Sequence, residues 1–337
     1  MLDPSRFPKS VVIGECWARD GLQNQAQVVS TDDKVAMITA MVEAGITKIE
    51  ATSFAPPKIL PQFADADEVL RRVPRAPGVD YRVMCTNMRA IDRAVVAKAE
   101  GRGADEIMMV LSASERHNRA NVRMTRDDNR RLIEKMARRA LDEGHVVFGW
   151  VLTAFGCPIE GDVPVARVLE DARWWRDIGA TILGFGDTTG VANPLQVSRF
   201  YDKVAAEGYG PDAREQTGVD VVVHFHDTRG WGISNSLVAL QHGYRFFDTS
   251  IGAIGGQPRT GAAAYHRGHT GNTSTEDFVG LLDELGVETG VDLQRLMELG
   301  KRAEAILGRR LRSNYLHAGP VRHEGVQYDP DKGILDA

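Results

Sequence analysis

In Val219-Asp-Val-Val-Val-His-Phe-His-Asp-Thr-Arg-Gly230, a β-branched run predicts a buried strand that ends in two histidines two residues apart. Side chains alternate faces along a strand, so His224 and His226 share one face while Phe225 takes the other. Two imidazoles converging from one strand end, with Asp227 and a glycine-containing loop next, point to a metal site. A hydrogen-bonded pair of core histidines is the alternative; it fits a lone histidine better than a same-face pair at a strand terminus.

Outward from this strand one pattern repeats: a helix-patterned stretch, a glycine, then a β-rich run. It occurs at Gly45 before residues 46–51, Gly103 before 106–111, Gly144 before 146–152, Gly179 before 181–185 and Gly243 before 246–251. Glycine after a helix supplies the left-handed position that other residues resist. Adding residues 11–15, 82–86 and 219–226 makes eight strand candidates with intervening helices, which predicts an α/β fold, a (β/α)8 TIM barrel. An open doubly wound sheet is the alternative, but no G-x-G-x-x-G follows the first strand.

The first helix is expected to be capped by Ser30, with Asp32 and Asp33 at its positive end and Val35, Ile38 and Val42 on its apolar face. After strand eight, Ser274, Glu276 and Asp277 predict a capped helix, followed by another from 293 to 307 with Leu296, Leu299, Ala303 and Ile306 on one face. The expected division is a catalytic barrel over 1–290 and a C-terminal helical extension over 291–337, irregular from Arg312 onward.

The 337 residues are 43% hydrophobic and 26% charged with a net charge of −5, so no global basic field draws the chain to nucleic acid or to an anionic membrane. No apolar run is long enough to span a bilayer, and the N-terminal residues lack the apolar core of a signal peptide. Cys16, Cys85 and Cys157 are too scattered for a disulfide framework or a thiolate zinc site, which leads to a cytoplasmic expectation.

Barrel active sites form at the C-terminal strand ends. Those positions carry Arg19, Asp20, Gln23 and Asn24 after strand one, Glu50 in strand two, Thr86 and Asn87 after strand three, and Ser112 and Ser114 after strand four. Thr153, Asp187 and the two histidines follow on strands five to seven. Singly, Asp187 reads as a cap, Glu50 as the partner of a core arginine and Asp20 as a turn residue. Together on one rim they form an acid-rich site that a divalent cation would neutralise: Mg2+ or Mn2+, with Zn2+ less suited. Arg19 cannot be deprotonated, so it suits holding an oxyanion rather than moving a proton.

These motifs resemble the DRE-TIM metallolyase superfamily, nearest to its 3-hydroxy-3-methylglutaryl-CoA lyase family. The resemblance rests on Arg19-Asp-Gly-Leu-Gln-Asn24, Ile49-Glu-Ala-Thr-Ser-Phe54, Gly156-Cys-Pro-Ile-Glu-Gly161, Gly186-Asp-Thr-Thr-Gly-Val191, His224-Phe-His-Asp-Thr228 with Asn235, and Gly271-Asn272. It implies a barrel that cleaves a short 3-hydroxyacyl-CoA to acetyl-CoA and a keto acid, in the parent case 3-hydroxy-3-methylglutaryl-CoA to acetoacetate. It further implies Asp20, His224, His226 and Asn272 as metal ligands and Arg19, assisted by Gln23, as enolate stabiliser. Glu50 and Asp187 would act around the hydroxyl proton and behind the ligands. The expected partner is an acyl-CoA substrate, and the expected assembly a homo-oligomer, dimer or tetramer; no other cofactor-binding residues are identified.

This chain departs from the family in the strand-eight loop, where Gln257 follows Gly255-Gly256 in place of a cysteine that serves as acid or base. Glutamine cannot relay a proton at neutral pH. The loop from Gln257 to Asn272 is also longer and carries Tyr265, His266, Arg267 and His269, making His266 or His269 a candidate substitute. Trp17, Arg229 and Trp231 add bulk near the rim, and Arg116, His117, Arg119 and Arg123 form a basic cluster that reads as a CoA-phosphate contact or a solvated face. The changed loop leaves open a lyase for a related thioester such as citramalyl-CoA, an aldolase or Claisen condensing enzyme on the same metal, or a non-catalytic metal- or CoA-binding relative.

Overall fold

In the computed structural model, which describes residues 3–256 and 270–324 and the short strands Tyr328–Asp329 and Gly333–Ile334, eight parallel strands close into a barrel. They are β1 (Val12–Glu15), β2 (Lys48–Ser53), β3 (Asp80–Met84), β4 (Glu106–Ser112), β5 (Val146–Leu152), β6 (Ile182–Asp187), β7 (Asp220–Phe225) and β8 (Phe246–Thr249). Each pairs with its sequence neighbours, and β8 returns to β1 with Val12 opposite Phe246 and Glu15 opposite Thr249. The closed barrel, not the open sheet, therefore forms as expected. Helices enclose it, and a continuous apolar core lies between the two layers, while Met84, Met108, Phe148, Trp150, Ile182 and Val222 fill the interior.

Two strand starts differ by two residues from the apolar pattern. Strand β2 begins at Lys48 rather than 46, because the Ile46 amide donates to the Met41 carbonyl at 3.0 Å and closes the preceding helix turn. Strand β3 begins at Asp80, two residues before the expected 82, because Asp80 pairs with Lys48 at 2.5 Å. Charged residues can start these strands because they neutralise one another across the barrel bottom: Lys48 also meets Glu106 at 2.6 Å, and Arg82 meets Glu106 at 2.6 Å and Asp248 at 2.8 Å.

Ser30 caps the first helix, Thr31–Glu43, accepting from the Asp33 amide at 3.1 Å. Its buried face is Lys34, Met37, Ile38 and Met41 rather than Val35, Ile38 and Val42; Val35 and Val42 are half-buried. Lys34 occupies the inner face because Asp65, at 2.9 Å, and the Gln62 carbonyl receive its ammonium group. The helices Thr275–Glu284 and Leu293–Leu307 follow the expected bounds, capped by Ser274 and Asp292. Leu296, Leu299 and Ala303 are buried, with Gly300 in place of the half-buried Ile306. Beyond them, Leu311 is buried, Ser313 donates to Asp277 at 2.9 Å, and residues Asn314–Ala318 form a short helix where irregular chain was expected. Among the described residues, no helix is long and apolar enough to cross a membrane.

Candidate active site and metal centre

At the C-terminal end of β1 the chain enters a wide helical turn, Trp17–Gly21, in which the Cys16 carbonyl accepts from the Arg19 and Gly21 amides at 3.1 and 2.9 Å. Buried Glu15 clamps this turn from below, accepting from the Trp17 amide at 2.8 Å, the Ile251 amide at 3.0 Å and the Thr275 hydroxyl at 2.6 Å. Burial pushes the Glu15 carboxyl up to about 8. The clamp ties the turn after β1 to the segment after β8 and sets Arg19 and Asp20 on the cavity wall.

Asp20, His224 and His226 each offer a ligand atom within 4.8 Å of the others, and all three are buried. The two histidine Nε2 atoms are 3.0 Å apart, a spacing suited to neighbouring ligands of one ion. His226 is placed to donate through Nδ1 to the Thr270 carbonyl, which aims Nε2 into the cluster. Burial, with His226 alongside, pulls His224 down to about 3, so the ring stays neutral and able to ligate. Asn272 faces His226 across an isolated bridge between the two chain segments, and its Nδ2 donates to Asp20 Oδ2 at 2.7 Å. Gln23 donates to Asp20 Oδ1 and, at 2.9 Å, to the Gly256 carbonyl.

The donor set fits a hard divalent cation: one carboxylate, two imidazoles and an amide, with no thiolate among them. A buried amide oxygen, Asn272 Oδ1, has no hydrogen-bond partner among the described residues; a cation would supply one. The close approach of the β8 segment depends on Gly255, whose φ is +137°: a Cβ there would lie 2.2 Å from Asn272 Nδ2 and 2.7 Å from Asp20 Oδ2.

Arg19 borders the cluster. It pairs with Glu50 at 2.6 Å and with Asp20 at 3.0 Å, so Glu50 does partner an arginine, and that arginine is the one on the site. Burial opposes the Arg19 charge, but Glu50 and then Asp20 outweigh it and hold the group above its ordinary value. Burial likewise works against the Asp20 carboxylate, and the Arg19 charge, with the Asn272 hydrogen bond, holds it below its ordinary value. Glu50 is raised by burial despite Arg19. Arg19, Asp20, His224 and His226 border a cavity of about 450 Å³ whose walls include Met84, Val110, Trp150, Leu152, Ile59 and Arg123.

Other expected residues lie elsewhere. Asp187 accepts from the Val191 amide at 2.8 Å and the Ala192 amide at 3.3 Å, and it is set behind a wall formed by its neighbours Gly186 and Thr188. Trp17 is fully buried beneath the rim, Trp231 is exposed at 40%, and Arg229 donates to the Gly190 carbonyl. None of these three borders the cavity. Cys157 accepts from the Ile159 and Glu160 amides at 3.3 Å within a turn. The basic cluster disperses: His117 is buried against Ser112, Arg119 pairs with Glu115, and Arg123 reaches the cavity with a left-handed φ of 60°. Gln257, His266 and His269 lie outside the described residues.

Two residues were not singled out from the sequence. Trp150 forms cavity wall and meets the His224 ring edge-on, with centroids 5.1 Å apart. Asp248 is buried in β8 beside His224; a lone acid within Phe246-Phe-Asp-Thr249 is the signal that marks it.

Comparison with known proteins gives a consistent picture. The HMGL-like family model matches residues 11–302. The hydroxymethylglutaryl-CoA lyase of Bacillus subtilis is 34% identical over 310 residues, 92% of this chain and 97% of that protein. The mitochondrial hydroxymethylglutaryl-CoA lyase of Rattus norvegicus is 37% identical over 312 residues, 93% of this chain and 90% of that protein. Among solved structures, an HMG-CoA lyase from Acinetobacter baumannii in complex with coenzyme A and 3-methylmalate superposes with a TM-score of 0.84 at 34% identity, covering 94% of this chain and 97% of that one.

Proposed function

This chain belongs to the HMGL-like family, and from that premise we propose that it is a divalent-metal-dependent carbon–carbon lyase cleaving 3-hydroxy-3-methylglutaryl-CoA to acetyl-CoA and acetoacetate. The observation that carries the reading is the convergence of Asp20, His224 and His226 beside Arg19 on one cavity, with Asn272 bonded to Asp20 behind them. We assign these four as the residues that hold the cation, Mg2+ or Mn2+ rather than Zn2+, because no thiolate joins them. When bound, the cation lowers the pKa of the substrate's tertiary hydroxyl and fixes its orientation.

The chain's own residues supply the rest. As the Cα–Cβ bond breaks, its electrons pass to the thioester oxygen, where the Arg19 guanidinium stabilises the developing charge. Glu50 fixes that guanidinium from behind, so its donors need not reorganise during reaction. Gln23 holds the Asp20 carboxylate in place. Glu50, raised by burial, is the carboxylate assigned to the region of the hydroxyl proton, and Asp187, its oxygens held by the Val191 and Ala192 amides, supports the β6 turn from behind the cavity wall. The proton that completes acetyl-CoA at carbon is assigned to His266 or His269, in place of the family cysteine. Arg123, which lines the cavity, is assigned to an anionic group of the thioester.

The proposed setting is the cytosol, consistent with three unpaired, buried cysteines, and the proposed assembly a dimer or tetramer. A panel of 3-hydroxyacyl-CoA thioesters, citramalyl-CoA included, incubated with Mg2+ or Mn2+ tests the reaction by acetyl-CoA release. Fastest turnover of 3-hydroxy-3-methylglutaryl-CoA is expected, and no cleavage of any thioester sinks the lyase reading. His224→Ala is expected to abolish metal uptake measured by elemental analysis; unchanged metal content removes His224 from the ligand set. Loss of turnover in neither His266→Ala nor His269→Ala rejects the assignment of the proton donor.

A further inference from the structure

We propose that Asp248 is a positioning residue for the metal centre: its carboxylate receives the Nδ1 proton of His224 and so keeps Nε2 aimed at the cation. The proposal rests on the metal centre described above and adds a residue to it.

Asp248 stands beside His224 in the paired register of β7 and β8. A carboxylate oxygen of Asp248, a ring nitrogen of His224 and the Cys16 sulfur lie within 4.8 Å of one another, and all three residues are buried. Arg82 holds Asp248 Oδ1 at 2.8 Å, while Asp248 Oδ2 has no hydrogen-bond partner among the described residues. His224 Nδ1 has none either. A buried polar atom left unpaired costs about 1–3 kcal/mol, so a donor and an acceptor in one cluster are driven to pair with each other. Cys16 is the weaker acceptor, because burial holds its thiol protonated, well above the ordinary range.

The surroundings restrict both groups to this arrangement. Strand β1 carries Gly14 where a Cβ would lie 2.0 Å from Asp248 Oδ1, so the carboxylate has its place only because that side chain is absent. On the other side, Trp150 meets the imidazole at an interplanar angle of 72°, limiting how far the ring can tilt. With Nδ1 protonated and donating to Asp248, the Nε2 lone pair is committed to the cluster with His226 and Asp20. Outer carboxylates of this kind typically change metal affinity by about 10–100-fold.

The test is a Mn2+ titration of the full chain, wild type and Asp248→Asn, followed by calorimetry or by the signal of unbound Mn2+ in electron paramagnetic resonance. Asp248→Asn is expected to bind Mn2+ about 10–100-fold more weakly while keeping its circular dichroism spectrum. Equal affinity in a folded Asp248→Asn protein overturns the proposal alone; a wild type that takes up no cation overturns the metal centre and the proposal with it. Because Arg82 loses a charged partner in this variant, a second measurement uses wild type only: the 15N-resolved tautomer of His224 in the Mg2+-loaded protein. Protonation at Nδ1 is expected, and protonation at Nε2 is incompatible with the proposal.

Discussion

The barrel contains two buried polar networks, one at its bottom and one at its top, built from the same residue types to different ends. At the bottom, Lys48, Asp80, Glu106, Arg82 and Asp248 join in a chain of ion pairs between 2.5 and 2.8 Å. At the top, Asp20, Arg19, Glu50, Asn272 and the two histidines are also linked, yet the acceptors Asn272 Oδ1 and Glu50 Oε1 have no hydrogen-bond partner among the described residues. A network whose charges cancel internally holds strands together. One that leaves acceptors unpaired in a dry interior is completed by something outside the chain. Asp248 belongs to both: one oxygen is paired with Arg82, and the other is left over for the upper network.

The contrast can be broken from the bottom first. Arg82→Ala leaves Asp248 as an uncompensated buried acid and Glu106 with Lys48 alone, with an expected loss of about 3–5 kcal/mol of stability in urea unfolding. A loss under 1 kcal/mol would mean that the lower network is not structural. At the top, Arg19→Met is expected to reduce kcat by about 10²–10³ with metal uptake retained, since the guanidinium acts on developing charge rather than on the cation. Loss of metal in Arg19→Met would instead make the arginine part of the scaffold. The smallest effect is expected at Gly255→Ala, where a Cβ crowds Asn272 and Asp20 and the backbone is strained by about 1–3 kcal/mol. Weaker Mn2+ affinity should accompany a modest drop in melting temperature; unchanged affinity would show that the loop can move aside.

Much of the upper site was legible because its residues arrive as local motifs at strand ends. His224 and His226 are two apart on one strand, and Arg19 and Asp20 are adjacent after another, so strand periodicity and barrel topology place them together. Asp187 shows the limit. Its position at a strand end is that of the others, but its oxygens meet the backbone amides of the next turn, behind the cavity wall. The dispersal of Arg116, His117, Arg119 and Arg123 has the same cause: a helix turns successive side chains in different directions, and only Arg123 reaches the cavity.

By itself the sequence determined the closed eight-stranded barrel, through eight β-rich runs separated by glycine-terminated helices, and the candidate ligands at its rim. Tertiary structure decided which polar atoms are satisfied. Whether a buried acid stabilises the fold or serves a ligand depends on partners far away along the chain, as with Arg82 and Asp248, 166 residues apart. That pairing exists only once the barrel has closed, because no local periodicity specifies contacts across its interior.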